Sequence, residues 1–192
     1  MIRLFKPEDR AEIDACDFTF TTKTVLSLRK TMRGAAAIWE LTERELEGQY
    51  MGNYALAEHE WEFMLQRQAS NPSLLCVAED DASNGKPVAL LDVSFEDWNE
   101  TVRIWNLYVD AAHRASGLGK KLVAHAAAWA RAPERKARAL VAETQTNNYP
   151  ACNFYKACGF ELSGIDDHFY SNSDAIAKMG VGEVALFWYL PL

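Results

Sequence analysis

His113-Arg114-Ala115-Ser116-Gly117-Leu118-Gly119-Lys120-Lys121 stands between an apolar, strand-like run (Val102 to Val109) and a helical run (Leu118 to Arg131). Arg-x-x-Gly-x-Gly at a strand-to-helix junction makes an anion cradle. Its glycines let the backbone approach a phosphate, the amides of the first helical turn point at it, and the helix dipole favours its charge. Lys120-Lys121 invites comparison with a nucleotide-hydrolysing P-loop, but the chain contains no Gly-x-x-x-x-Gly-Lys-Ser/Thr. A second motif follows about thirty residues on: Asn148-Tyr149-Pro150-Ala151-Cys152-Asn153-Phe154-Tyr155-Lys156-Ala157-Cys158-Gly159-Phe160.

Working outward, the pattern alternates. Ile2 to Phe5 reads as an opening strand, and Pro7-Glu8-Asp9 suits the first turn of a helix reaching Ala15. Thr21 to Lys30 and Ala36 to Leu41 are extended candidates joined by a turn at Met32-Arg33-Gly34, and Asn53 to Gln68 reads as a helix. Leu74 to Ala78, Val88 to Phe95 and Thr101 to Val109 form an antiparallel meander, with turns at residues 80–86 and at Trp98-Asn99-Glu100. After it come a helix (Gly117 to Arg131), a strand (Ala139 to Glu143), a helix (Tyr149 to Ala157), a strand (Phe160 to Ile165) and a closing strand (Val184 to Leu190). This order predicts an α/β fold: a mixed, mainly antiparallel central sheet flanked by helices. With no repeat, low-complexity segment or linker, residues 1–192 are expected to form a single domain.

Composition narrows the function. The chain has 49% apolar residues, enough to fill a core, and no run near the ~20 apolar residues of a membrane span. Neither a membrane partner nor a signal peptide is expected, and the expected compartment is cytoplasmic. Twenty basic residues against 27 acidic give a net charge of −7, which disfavours nucleic acid and suits a cationic partner. Cysteines 16, 76, 152 and 158 and histidines 59, 113, 125 and 168 show no zinc spacing, so no metal is expected.

Together the two motifs resemble the GCN5-related N-acetyltransferase (GNAT) superfamily, which binds acetyl-CoA. The resemblance implies that Arg114, Ala115, Ser116, Gly117, Leu118, Gly119 and Lys120 hold the pyrophosphate, and that the backbone of Leu107, Tyr108 and Val109 pairs with the pantetheine arm. It implies that the Asn148 amide contacts that arm; Asn148 is equally placed to cap the following helix. Tyr155 matches the position where the superfamily often uses a tyrosine, and a phenol can protonate the leaving sulfur. The alternative for Tyr155 is core packing beside Phe154 and Phe160. Many members carry a glutamate in the strand before the loop. Here that strand, Arg103-Ile104-Trp105-Asn106-Leu107-Tyr108, has no carboxylate, and Glu143 or Asp92 is the substitute base.

A closer resemblance, to the streptothricin acetyltransferases, lies in Ala142-Glu143-Thr144-Gln145-Thr146-Asn147-Asn148, in Gly164-Ile165-Asp166, in Trp98-Asn99 and in Phe20 to Val25. That family acetylates an amine of the β-lysine tail of a polycationic antibiotic. The implied partner is a small cationic amine, met by the carboxylates of Asp92, Glu143 and Asp166 and the aromatic faces of Trp98 and Trp105. Each has a plainer alternative: core packing for the aromatics, a solvated turn for Asp166. Other small amines, or a protein amino group, are the alternative acceptors. A CoA-binding module without catalysis is the alternative of a different class. The last strand could form a homodimer edge or a core strand.

Overall fold

The computed structural model describes residues 1–79, 83–172 and 182–192. They fall into two compact units. One comprises Met1–Thr19, Asn53–Ala142 and Tyr189–Leu192, the other Phe20–Gly52 and Glu143–Trp188.

The first unit opens with β1 (Ile2–Leu4), a 3₁₀ turn (Pro7–Asp9) and the short α1 (Arg10–Asp14). The meander follows as β4 (Ser73–Ala78), β5 (Ala89–Glu96) and β6 (Thr101–Val109). β1 pairs antiparallel with β4, β4 with β5, and β5 with β6. β7 (Ala139–Gln145) joins β6 in parallel, from Thr101↔Ala139 to Ile104↔Ala142, where that ladder ends. The two central strands are buried almost throughout, as the unbroken apolar runs Leu74–Ala78 and Ala89–Leu91 require. α2 (Glu58–Ser70) lays Trp61 and Met64 onto Ile13, Phe18, Leu75, Val77 and Leu90. α3 (Leu118–Ala130) buries Leu118, Leu122, Val123, Ala126, Ala127 and Ala130, a stripe at helical spacing.

The second unit carries a long two-stranded hairpin, β2 (Thr19–Arg33) and β3 (Ala36–Asn53). It also holds the end of β7, α4 (Tyr149–Ala157), β8 (Glu161–Asp166) and β9 (Ala185–Pro191) as far as Trp188, in the strand order β7-β9-β8.

Several boundaries differ from expectation, β2 (Thr19–Arg33) overrunning the expected Thr21 to Lys30 at both ends. β3 does not stop at Leu41 but runs to Asn53, because ladder bonds to β2 sustain a strand whose side chains are largely exposed. The helix expected from Asn53 therefore starts at Glu58. The Asn53 side chain accepts the Ala55 amide at 2.9 Å, and Glu60 accepts the Ala57 amide at 2.6 Å to close the helix start. The hairpin turn lies at Gly34-Ala35, with Gly34 at φ 62°. Of the turn expected at 80–86, residues 80–82 lie outside the described residues; Lys86 N donates to Ser83 O at 3.1 Å.

Candidate active site

In the first unit, the cradle is held from behind. Ala115 and Gly117 have left-handed backbones (φ 60° and 82°), and Gly117 is the N-cap of α3. The next helical amides have no carbonyl four residues back within the helix, so they project from its positive end. Ser116 Oγ closes the loop by donating to His113 O at 2.7 Å. The Arg114 guanidinium is committed to backbone, donating through Nε to Val109 O at 3.0 Å and through Nη1 to Thr19 O. Asp110 accepts the Asp17 amide at 2.8 Å and the Ala112 amide at 2.9 Å. Arg114 therefore braces the loop backbone against Val109 and Thr19.

Upstream, β6 bulges. Val93 faces Ile104 and Asp92 faces Asn106, so Trp105 is an extra residue. Leu107, Tyr108 and Val109 lie beyond the bulge and beyond the β7 ladder. Asp92 is fully buried; its Oδ2 accepts from Arg67 (Nε at 3.2 Å, and Nη2) and from Asn106 Nδ2 at 3.2 Å. Burial raises its carboxyl above the ordinary range, against the pull of Arg67 and Asn106. Trp105 donates to Ser94 Oγ at 2.8 Å, and the guanidinium carbons of Arg67 and Arg103 stand 4.8 and 4.9 Å from its ring centroid. Trp98 is apart from this group, on the β5–β6 turn and 80% exposed.

In the second unit, Asn148 caps α4, its side chain accepting the Ala151 amide at 3.1 Å with Pro150 in the first turn. Tyr155 lies seven residues on, hence on the same helix face. Its buried ring meets Phe154 and Phe160 edge-on at 5.2 and 5.1 Å. Glu143 Oε1 accepts from the Tyr170 hydroxyl at 2.8 Å, and that hydroxyl accepts from Gln145 Nε2 at 2.8 Å. Asp166 ends β8 and caps the next turn through the His168 amide at 2.9 Å. Neighbouring Asp167 pairs with Lys30 at 3.0 Å.

Residues 35–160 match the acetyltransferase (GNAT) family model. The streptothricin acetyltransferase of Streptomyces lavendulae is 30% identical, the alignment covering 98% of this chain and 93% of that one. The chain belongs to the GNAT acetyltransferase family. An Escherichia coli streptothricin acetyltransferase is 38% identical across 48% of this chain, a match spanning about half of that relative (49%). A crystal structure of nourseothricin acetyltransferase superposes with a TM-score of 0.77 at 28% identity, over 100% of this chain and 97% of that one. A Bacillus anthracis protein assigned as a streptothricin acetyltransferase was solved with acetyl coenzyme A; it gives a TM-score of 0.74 at 25% identity, over 100% and 97% of the two chains.

The GNAT fold accounts for the mixed sheet and its helices. Among the described residues no His, Cys, Asp or Glu cluster is placed to hold a metal, and no helix is long and apolar enough to cross a membrane. Sequence reasoning missed Arg67, Asn106 and Tyr170. Arg67 lies 25 residues from Asp92, and Tyr170 lies 27 from Glu143, so no local spacing announces either pair.

Proposed function

We propose that this enzyme moves the acetyl group of acetyl-CoA to a primary amine of a small polycationic antibiotic of the streptothricin class. The observation that carries this is the likeness to the Streptomyces lavendulae enzyme along nearly the whole chain. The amides of the Arg114–Lys120 loop suit a pyrophosphate: they open a helix, and a Cβ added at Gly117 would meet nothing within 4 Å, so a ligand has room to approach. Leu107 to Val109, past the end of the β7 ladder, offer backbone groups to the pantetheine amides.

The acceptor arrives as an ammonium ion and must lose a proton before its nitrogen can attack. Glu143, oriented by Tyr170, takes that proton directly or through water. The nitrogen then bonds to the thioester carbonyl carbon and the carbon–sulfur bond breaks. Tyr155 gives its phenolic proton to the departing sulfur and is restored by the second proton leaving nitrogen. The products are an amide, neutral CoA thiol and one released proton. Asp166 and the exposed face of Trp98 are the further proposed contacts for the other cationic groups of the acceptor. Replacing an ammonium by a neutral amide removes one positive charge, which weakens attraction to RNA phosphates.

The test is thiol release from acetyl-CoA with streptothricin, run beside an aminoglycoside, a polyamine and peptide amines. Streptothricin-dependent release is expected. Turnover of another amine alone would overturn the acceptor assignment. Acetyl-CoA binding without transfer to any amine would overturn the enzymatic reading.

A further inference from the structure

The Arg67–Asp92 pair joins a half-buried guanidinium to a fully buried carboxylate. Asp92 has no exposed surface, and its hydrogen bonds from Arg67 and Asn106 converge on Oδ2, leaving Oδ1 without a hydrogen bond among the described residues. Gln68 also favours the charged form of Asp92, and its Nε2 is itself buried without a hydrogen bond among the described residues. Buried ion pairs of this kind are often no more stabilising than well-packed apolar side chains, so their value lies in what they orient.

What this pair orients is the β6 bulge. Bulges re-aim a strand at the point where the extra residue enters. Both bulge side chains are tied to β5, Trp105 through Ser94 Oγ and Asn106 through Asp92 Oδ2. Arg67, reaching from α2, touches both ties at once: its guanidinium bonds to Asp92 and lies against the Trp105 ring. From Asn106 onward the strand continues as Leu107, Tyr108 and Val109. We infer that Arg67 and Asp92 are positioning residues for acetyl transfer, locking the Trp105–Asn106 bulge and with it the direction of the backbone that receives the thioester arm. This rests on the acetyl-CoA reading above, and it assigns Asp92 an inward role in place of contact with the acceptor.

The experiment measures acetyl-CoA dissociation constants and steady-state kinetics for Arg67→Lys, Arg67→Gln, Asn106→Ala and the double variant Arg67→Lys/Asn106→Ala. Lysine keeps the charge but loses the fork and the stacking surface. Expected are about tenfold increases in Kd and KM for acetyl-CoA, with the acceptor KM held within about twofold. The double variant should cost less than the product of the singles, because Arg67 and Asn106 act through the same carboxylate. A purely structural pair would lower thermal stability and active fraction while leaving both constants unchanged in the folded protein. That result, or strictly multiplicative effects, overturns the inference. Failure of the wild-type protein to bind acetyl-CoA would instead overturn the reading beneath it.

Discussion

On the proposed reading, Tyr155 serves packing and chemistry together. Its ring is wedged edge-on between Phe154 and Phe160, so Tyr155→Phe keeps the packing and removes only the hydroxyl. The expected result is a fall in kcat of about 10²-fold or more with little change in melting temperature. Equal losses of activity and stability would instead assign the residue to the core. Asp9 makes a different single-residue case. Arg3 grips it with two bonds of 2.7 Å and the Lys6 amide adds a third at 2.8 Å, which holds its carboxyl below the ordinary range, chiefly through Arg3. A lowered folded pKa means that the unfolded chain binds more protons. The stabilisation is therefore present above about pH 4 and is lost as pH falls through the folded value. Urea unfolding of wild type and Asp9→Asn should differ by about 1–3 kcal/mol at neutral pH, and the two should converge in acid.

At the scale of elements, the loop that opens α3 and the start of α4 were legible because glycine, proline and asparagine act locally. Gly117 adopts φ 82°, and Asn148 accepts an amide three residues on, so a short stretch of sequence marks both helix starts. β3 beyond Leu41 was not legible. Most of its side chains are exposed, Glu43, Arg44, Glu45 and Glu47 among them, so no hydrophobic alternation marks a strand held by backbone pairing. The Arg67–Asp92 and Tyr170–Glu143 contacts were invisible for another reason: they join elements that only the tertiary fold brings together. Two substitutions probe these elements. Gly117→Ala has space for its methyl but a backbone that L-residues resist. It should cost about 1 kcal/mol in stability and, on the proposed reading, weaken acetyl-CoA binding by more. Gly52→Ala would drive a Cβ into the Phe20 ring on the facing strand. Faster amide exchange confined to β2 and β3 is the expected signature.

For the molecule as a whole, a net charge of −7 bears on how a cationic acceptor arrives. On the proposed reading, kcat/KM for a polycationic amine should fall as ionic strength rises, while the KM for acetyl-CoA changes little; stopped-flow or steady-state assays across 10–300 mM salt would show it, on the order of tenfold. Arg114 reaches back 95 residues to Thr19, and Asp110 reaches back 93 to Asp17. Closing a chain segment of that length costs about 4 kcal/mol of entropy before any contact returns it. The cradle that reads so locally in sequence is thus one of the most non-local structures in its unit to assemble. During refolding, α3 can form early, yet the loop at its start gains its final shape only when the N-terminal segment docks; on the proposed reading, competence to capture acetyl-CoA should appear only with that docking step.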